Sequence, residues 1–243
     1  MDYRDALREV PLFAQLRDGD LERLGTAAHG RSYRKNAVIL LQGKPVEGLH
    51  VILSGTVKLA LADEEGREVI ISTRGQGDYF GETALLNDVP LTTDAIAMED
   101  SEILVLRRET FHACVEEIPH MTFGLLRGLC RRLRKADRRI SSLAMLDVRQ
   151  RIAHLLLELA DENDGQTITH PLTQHVIAQM IGSSRETVAR VMPDLASAGL
   201  IETNRRPVPP VRRPGGGDVR ARTRRVITIL DRAGLEAVAR ESG

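Results

Sequence analysis

Arg185, Glu186 and Arg190 fall at spacings that return to neighbouring positions on one side of an α-helix. Two guanidinium forks and a carboxylate so placed match base edges in a DNA major groove, where Arg donates to guanine O6 and N7 and Glu accepts from the cytosine N4 amino group. The bland alternative is a surface ion pair between Glu186 and Arg190 on a helix that only packs. The surrounding residues favour the first reading. Thr173 can cap a helix whose apolar face is Val176, Ile177, Met180 and Ile181, and Gly182 permits a sharp turn after it. Ser184 stands where a second N-cap is needed, and Val188, Val191, Met192 and Leu195 give the second helix a buried side. This is the sequence form of a helix-turn-helix, and the candidate DNA-binding set is Thr173, Ser184, Arg185, Glu186, Thr187 and Arg190. Pro193 lies well inside the second helix, where it removes one backbone bond and strains the preceding turn, so a bend or an altered C-terminal end is expected after Arg190.

Further back, Val38 to Gly81 consists of short apolar runs punctuated by Gly43, Gly55, Gly66, Gly77 and Gly81, the pattern of a β-sandwich or roll whose turns need positive φ or close backbone approach. Beyond Ile118-Pro119, which marks a helix start, Leu126, Leu129, Leu133, Ala136, Ile140 and Leu143 recur at spacings of three and four between charged positions. That is a heptad seam, and its alternative is an amphipathic helix packed on its own domain.

The string SRETVAR, from Ser184 to Arg190, resembles the recognition helix of the cyclic-AMP receptor protein branch of the CRP/FNR family of bacterial transcription regulators, and the resemblance extends from about Pro11 to Leu235. It implies an α+β chain: a cyclic-nucleotide-binding-like β-roll sensor at 1–118, a long dimerisation helix and hinge at 119–146, and a winged helix-turn-helix at 147–243. It also implies a homodimer on double-stranded DNA, with a pseudo-palindromic, TGTGA-like site whose half-sites lie about one helical turn, roughly 34 Å, apart. The hinge would be the stretch around Leu143 to Asp147, and RNA polymerase is the further partner if the regulator activates.

The segment GDYFGE and the ALL that follows Thr83 look like the start of the family's phosphate-binding cassette, with Gly81 in its turn. Glu82 stands where the family accepts a ribose hydroxyl. Members that bind cyclic AMP end the cassette in Arg followed by Ser or Thr, whereas here Thr92 replaces the Arg and Thr93 keeps the hydroxyl. The lost guanidinium is the strongest contact a cyclic phosphate could have. The two polar residues that meet the adenine across the dimer correspond to Ala136 and Asp137. Arg74, at a pocket-lining position, and Arg132, which matches an Arg reaching in from the dimer helix, are the cations that could compensate. A strand-end Arg is ordinarily a solvated edge residue, and Arg132 sits in the charged run RGLCRRLRKADRR, where an outer face is expected. The expectation is that cyclic AMP is not the effector or binds weakly, which leaves two readings: gating by another ligand, such as a nucleotide other than cyclic AMP, or DNA binding without any effector.

Composition agrees. Lys and Arg number 34 and Asp and Glu 34, so the chain has no net charge and is not a general nucleic-acid coat. The basic excess is local. Asn204 to Arg225 carries Arg205, Arg206, Arg212, Arg213, Arg220, Arg222, Arg224 and Arg225 among Pro and Gly, between the two strands of a wing, LIET and RRVITILD. Pro and Gly do not sustain a ladder, so a flexible insertion is expected whose arginines add salt-dependent contact to phosphates. Cys114 and Cys130 lack metal-ligand or iron-sulfur spacing, and no catalytic constellation stands in a matching context, so neither a metal nor an enzyme is expected. With no signal peptide and no long apolar run, no membrane partner and a cytoplasmic location are expected. A different function class, a nucleotide-binding module that controls a partner protein, shares the β-roll but has no use for Arg-Glu-x-x-x-Arg on a two-helix reader.

Overall fold

The computed structural model describes residues 3–162, 164–169, 171–208 and 222–240, and the chain divides into two compact units, Met1–Arg138 and Arg139–Gly243. In the first unit, α1 (Arg4–Arg8) and α2 (Asp18–Ala27) precede β1 (Ala28–Tyr33), β2 (Val38–Leu40), β3 (Gly48–Ser54), β4 (Val57–Ala62), β5 (Glu68–Arg74) and β6 (Tyr79–Phe80). A short α3 (Glu82–Asn87) follows, then β7 (Asp94–Ala97), β8 (Ser101–Arg107), α4 (Arg108–Glu117) and the long α5 (Pro119–Met145), whose residues from Arg139 on belong to the second unit.

The strands form two antiparallel four-stranded sheets, ordered β1-β8-β3-β6 and β2-β7-β4-β5. Side chains alternate across a strand, and β3 and β8 use both faces. Ile52, Ile103 and Val105 pack with Phe80, Val57 and Ala95 between the sheets. Leu49, Val51, Leu104 and Leu106 face the other way, onto Leu21 and Leu24 of α2, Phe111 and Cys114 of α4, and Met121 and Leu125 of α5. All five glycines expected to need special backbone have positive φ. Gly55 shows why: besides φ +94°, a Cβ there would come within 2.3 Å of Ser101 Oγ.

Pro119 opens α5, a position where its missing N–H costs nothing. The helix buries Met121, Leu125 and Gly128 against its own unit, while Phe123, Leu126, Leu133, Ile140 and Leu143 are left 48–66% exposed. Within a single chain the seam is therefore uncovered apolar surface, distinct from the face that packs.

In the second unit, α6 (Val148–Asp161), β9 (Thr167–Ile168), α7 (Gln174–Ile181), α8 (Arg185–Ser197), β10 (Ile201–Val208), β11 (Arg222–Ile229) and α9 (Arg232–Arg240) follow one another. Asp147 and Gln150 form a reciprocal capping box at the start of α6. The three strands pair in the order β10-β11-β9. The wing corrects one expectation. Its ladder runs from Ile201↔Ile229 to Val208↔Arg222, so Asn204–Val208 and Arg222–Arg225 are strand rather than flexible insertion. Pro207 is tolerated opposite Thr223 because β10 is an edge strand, with partner bonds needed at alternate residues only. Arg212, Arg213 and Arg220 lie outside the described residues.

Candidate nucleic-acid interface and effector pocket

The two helices of the reader are capped by side chains that the sequence singled out. Thr173 Oγ1 accepts from Val176 N at 3.1 Å, and Ser184 Oγ accepts from Thr187 N at 3.1 Å and lies 3.0 Å from Thr187 Oγ1. Between them Gly182 ends α7 in the left-handed region at φ +63°. Val188, Met192 and Leu195 are buried, Val191 is half-buried, and Arg185, Glu186 and Arg190 are exposed on the remaining side. Glu186 is held ionised, below the usual carboxylate range, by its own backbone amide and by Ser184. The exposed side of α8 thus presents two cations and one acceptor over the first two turns of the helix, next to hydroxyls that are already ordered.

The turn is also held from behind by residues that sequence reasoning missed. Arg139 Nη2 donates to Met180 O at 2.5 Å and Arg151 Nη1 to Ile181 O at 2.8 Å, closing two carbonyls at the C-terminal end of α7. Nothing in a local pattern reveals such contacts, because the partners are carbonyls 30 and 41 residues away. Pro193 does not end α8, which continues to Ser197. Pro193 is exposed, so its ring meets solvent, and the bond it removes is the one to the Ala189 carbonyl, a turn earlier.

In the first unit the structure brings together Arg74, Gly81, Glu82 and Arg132. Gly81 begins α3 at φ +91°, where a Cβ would meet Val46 at 3.2 Å and the Gly48 carbonyl at 3.3 Å. It carries the chain so that Glu82 is only 3% exposed. Arg132, on α5, pairs with Glu82 Oε1, donates to Tyr79 O at 2.7 Å and lies 4.5 Å over the Tyr79 ring. Gly128 makes room for that ring, since a Cβ there would come 2.2 Å from Tyr79 Oη. The charged outer face expected at Arg132 is thus replaced by an inward one, one face of α5 being occupied by the sensor unit. Arg74 is likewise no solvated edge residue. It lies opposite the fully buried Val57 of β4, and among the described residues its guanidinium bonds only to the Thr73 carbonyl, at 2.8 Å. Burial and then the nearby charge of Arg132 push its pKa down from the ordinary Arg value.

Thr92, Thr93 and Asp137 are not drawn into this cluster in a single chain. Thr92 is exposed and Thr93 half-buried ahead of β7, and neither side chain bonds to Glu82 or Arg132. Asp137 is exposed, five residues past Arg132 and therefore on another side of α5. Among the described residues no cluster of His, Cys, Asp and Glu is suited to a metal, and no helix is long and apolar enough to cross a membrane.

Two family models match the two halves of this arrangement: a cyclic nucleotide-binding domain over residues 30–117 and a Crp-like helix-turn-helix domain over 150–209. A Cyclic AMP receptor protein of Thermus thermophilus is 33% identical over 195 residues, 80% of this chain and 89% of the relative. The chain belongs to the CRP/FNR family of transcription regulators. A CRP-like cAMP-activated global transcriptional regulator of Mycobacterium tuberculosis is also 33% identical, over 70% of this chain and 78% of that one. Among solved structures, a CRP/FNR-family transcriptional regulator from Thermus thermophilus superposes with a TM-score of 0.64 at 29% identity, covering 88% of this chain and all of the other. As a CRP/FNR member the chain joins a cyclic-nucleotide-binding β-roll, a long helix and a helix-turn-helix DNA-binding domain, the α+β architecture expected from its sequence.

Proposed function

We propose that the protein works as a homodimer that reads a pseudo-palindromic, TGTGA-like site, with Arg185 and Arg190 on guanines and Glu186 on a cytosine. Thr173, Ser184 and Thr187 then stand at the phosphates beside them, and a nucleotide other than cyclic AMP gates the state that binds. The observation that carries the DNA reading is the exposed side of α8, where Arg185, Glu186 and Arg190 share the capped end of a helix whose other side is core. The exposed seam Leu126, Leu133, Ile140 and Leu143 supports the dimer, because apolar residues at heptad spacing on a charged helix ask for a second copy. A two-fold dimer reads a two-fold site.

The separation from cyclic AMP rests on Thr92. The relatives' names tie them to cyclic AMP, and the position where cyclic-AMP binders carry Arg has here no charge to offer a phosphate. If the regulator activates, RNA polymerase is its further partner; the arginines of the wing add phosphate contact. The test is selection of bound sequences from a randomised DNA library, with no nucleotide and with cyclic AMP, cyclic GMP or cyclic di-GMP. Recovery of an inverted repeat with TGTGA-like halves supports the reading. Recovery of no motif, or of a motif without symmetry, refutes it. Recovery that depends on cyclic AMP alone refutes the effector assignment and leaves the DNA reading intact.

A further inference from the structure

The first unit holds a buried cation without a direct ion pair among the described residues. Among the described residues five buried side-chain polar atoms have no hydrogen-bond partner, and three of them belong to one cluster: Arg74 Nε, Tyr79 Oη and Glu82 Oε2. Buried polar atoms are ordinarily satisfied, so a concentration of exceptions marks either strain or an absent partner. Charge separates these cases. Arg132 is paired with Glu82, but Arg74 is in no ion pair among the described residues: the carboxylates of Asp78 and Glu82 act on it from a distance, and the charge that acts on it most strongly is that of a second cation, Arg132. A buried guanidinium beside another is costly unless an anion joins them. The register sharpens the point, since Arg74 lies opposite Val57, which is fully buried between the sheets, where packing alone calls for an apolar side chain. Glu82, 3% exposed, keeps one oxygen on Arg132 and leaves the other as an acceptor that lacks a donor.

We propose that Arg74 is the anion anchor of the effector, taking over from β5 the phosphate charge that Thr92 cannot balance, beside the Glu82 carboxylate to which the family resemblance already assigns a ribose hydroxyl. The ligand class is a nucleotide held by phosphate and sugar hydroxyl, with the phosphate on the β5 side of the pocket. This deepens the effector reading above and rests on it. Arg74 then decides specificity in a particular way: it sets the preference for a phosphate-bearing ligand over the same ligand without phosphate.

The test is calorimetric titration of the full chain with cyclic AMP, cyclic GMP and cyclic di-GMP, each paired with its nucleoside, adenosine or guanosine, for wild type, Arg74→Met and Arg74→Lys. At least one nucleotide is expected to bind wild type roughly 30-fold or more tightly than its nucleoside, the scale of a charge-assisted phosphate contact. Arg74→Met should cut that ratio about tenfold or more and Arg74→Lys should restore part of it, since Lys keeps the charge without the fork. The ligand-free melting temperature of Arg74→Met should hold or rise, because a buried cation outside any ion pair among the described residues is replaced by an apolar chain. A ratio unchanged in Arg74→Met overturns the anchor and leaves a nucleotide effector standing. A ligand-free melting temperature that falls in Arg74→Met and stays low in Arg74→Lys makes Arg74 structural and also overturns it. Failure of all three nucleotides to bind wild type overturns anchor and effector reading together. Binding of cyclic AMP through Arg74 supports the anchor and removes the claim that cyclic AMP is not the effector.

Discussion

The helix-turn-helix and the sensor pocket handle the same residue types in opposite ways. On α8 the charges are outside and the local polar groups are satisfied: Thr173 and Ser184 close their caps and Glu186 is bonded to its own amide and Ser184. In the pocket the charges are inside and the balance is open, with Arg74 outside any ion pair among the described residues and Glu82 half-paired. A surface that meets a polymer keeps its cations hydrated until phosphates and bases displace water, and it can be complete without its ligand. On the proposed reading the Arg74–Glu82 cluster is an effector site, dry in advance of its ligand, and its unmet polar groups stand for the groups that ligand brings.

That contrast can be broken most directly at Arg132. Arg132→Ala leaves Glu82 buried without its cation and should destabilise the sensor unit by about 3 kcal/mol, measured by urea unfolding. No loss of stability would mean that the pair is not formed. A second large effect comes from His50, which is 1% exposed, stacked on Phe80 and pushed down by burial from 6.5 to about 4. Between these values the unfolded chain binds the proton and the folded one does not. Stability is therefore full above pH 6.5 and falls by about 3 kcal/mol as the pH drops toward 4. His50→Leu should remove that slope, and an unchanged slope would assign it to other groups.

Exposed charges should behave otherwise. Arg185→Ala or Arg190→Ala should weaken operator binding about 10- to 100-fold and relax base preference, with urea unfolding unchanged, because neither side chain is part of the core. Wild-type affinity in both would remove them from the reading set. The smallest effects belong to the caps, where Thr173→Ala and Ser184→Ala should each cost about 1 kcal/mol of stability in the DNA-binding unit. Loss of DNA affinity beyond that cost would place their hydroxyls at phosphates.

How much of this is legible in the sequence follows from range. The caps Thr173 and Ser184, the Gly182 turn, the start of α5 at Pro119 and the positive-φ glycines are local signals, and each appears where the pattern puts it. The Arg139 and Arg151 contacts to the end of α7, the Gly128 recess for Tyr79 and the inward turn of Arg132 depend on partners distant in sequence, which local pattern does not encode. The wing departs from expectation for a related reason. Proline and arginine content suggests an open insertion, but strand pairing extends the ladder to Val208 and Arg222. The strand β9 that completes the sheet and the helix α9 that packs on α6 carry no motif of their own.

The most direct measurement is the affinity of the purified chain for its selected palindrome, titrated with each nucleotide in turn. A rise of about tenfold or more with cyclic GMP or cyclic di-GMP, and none with cyclic AMP, is the predicted result. An affinity that no nucleotide changes would contradict a nucleotide-gated regulator, and one that only cyclic AMP raises would contradict the exclusion of cyclic AMP.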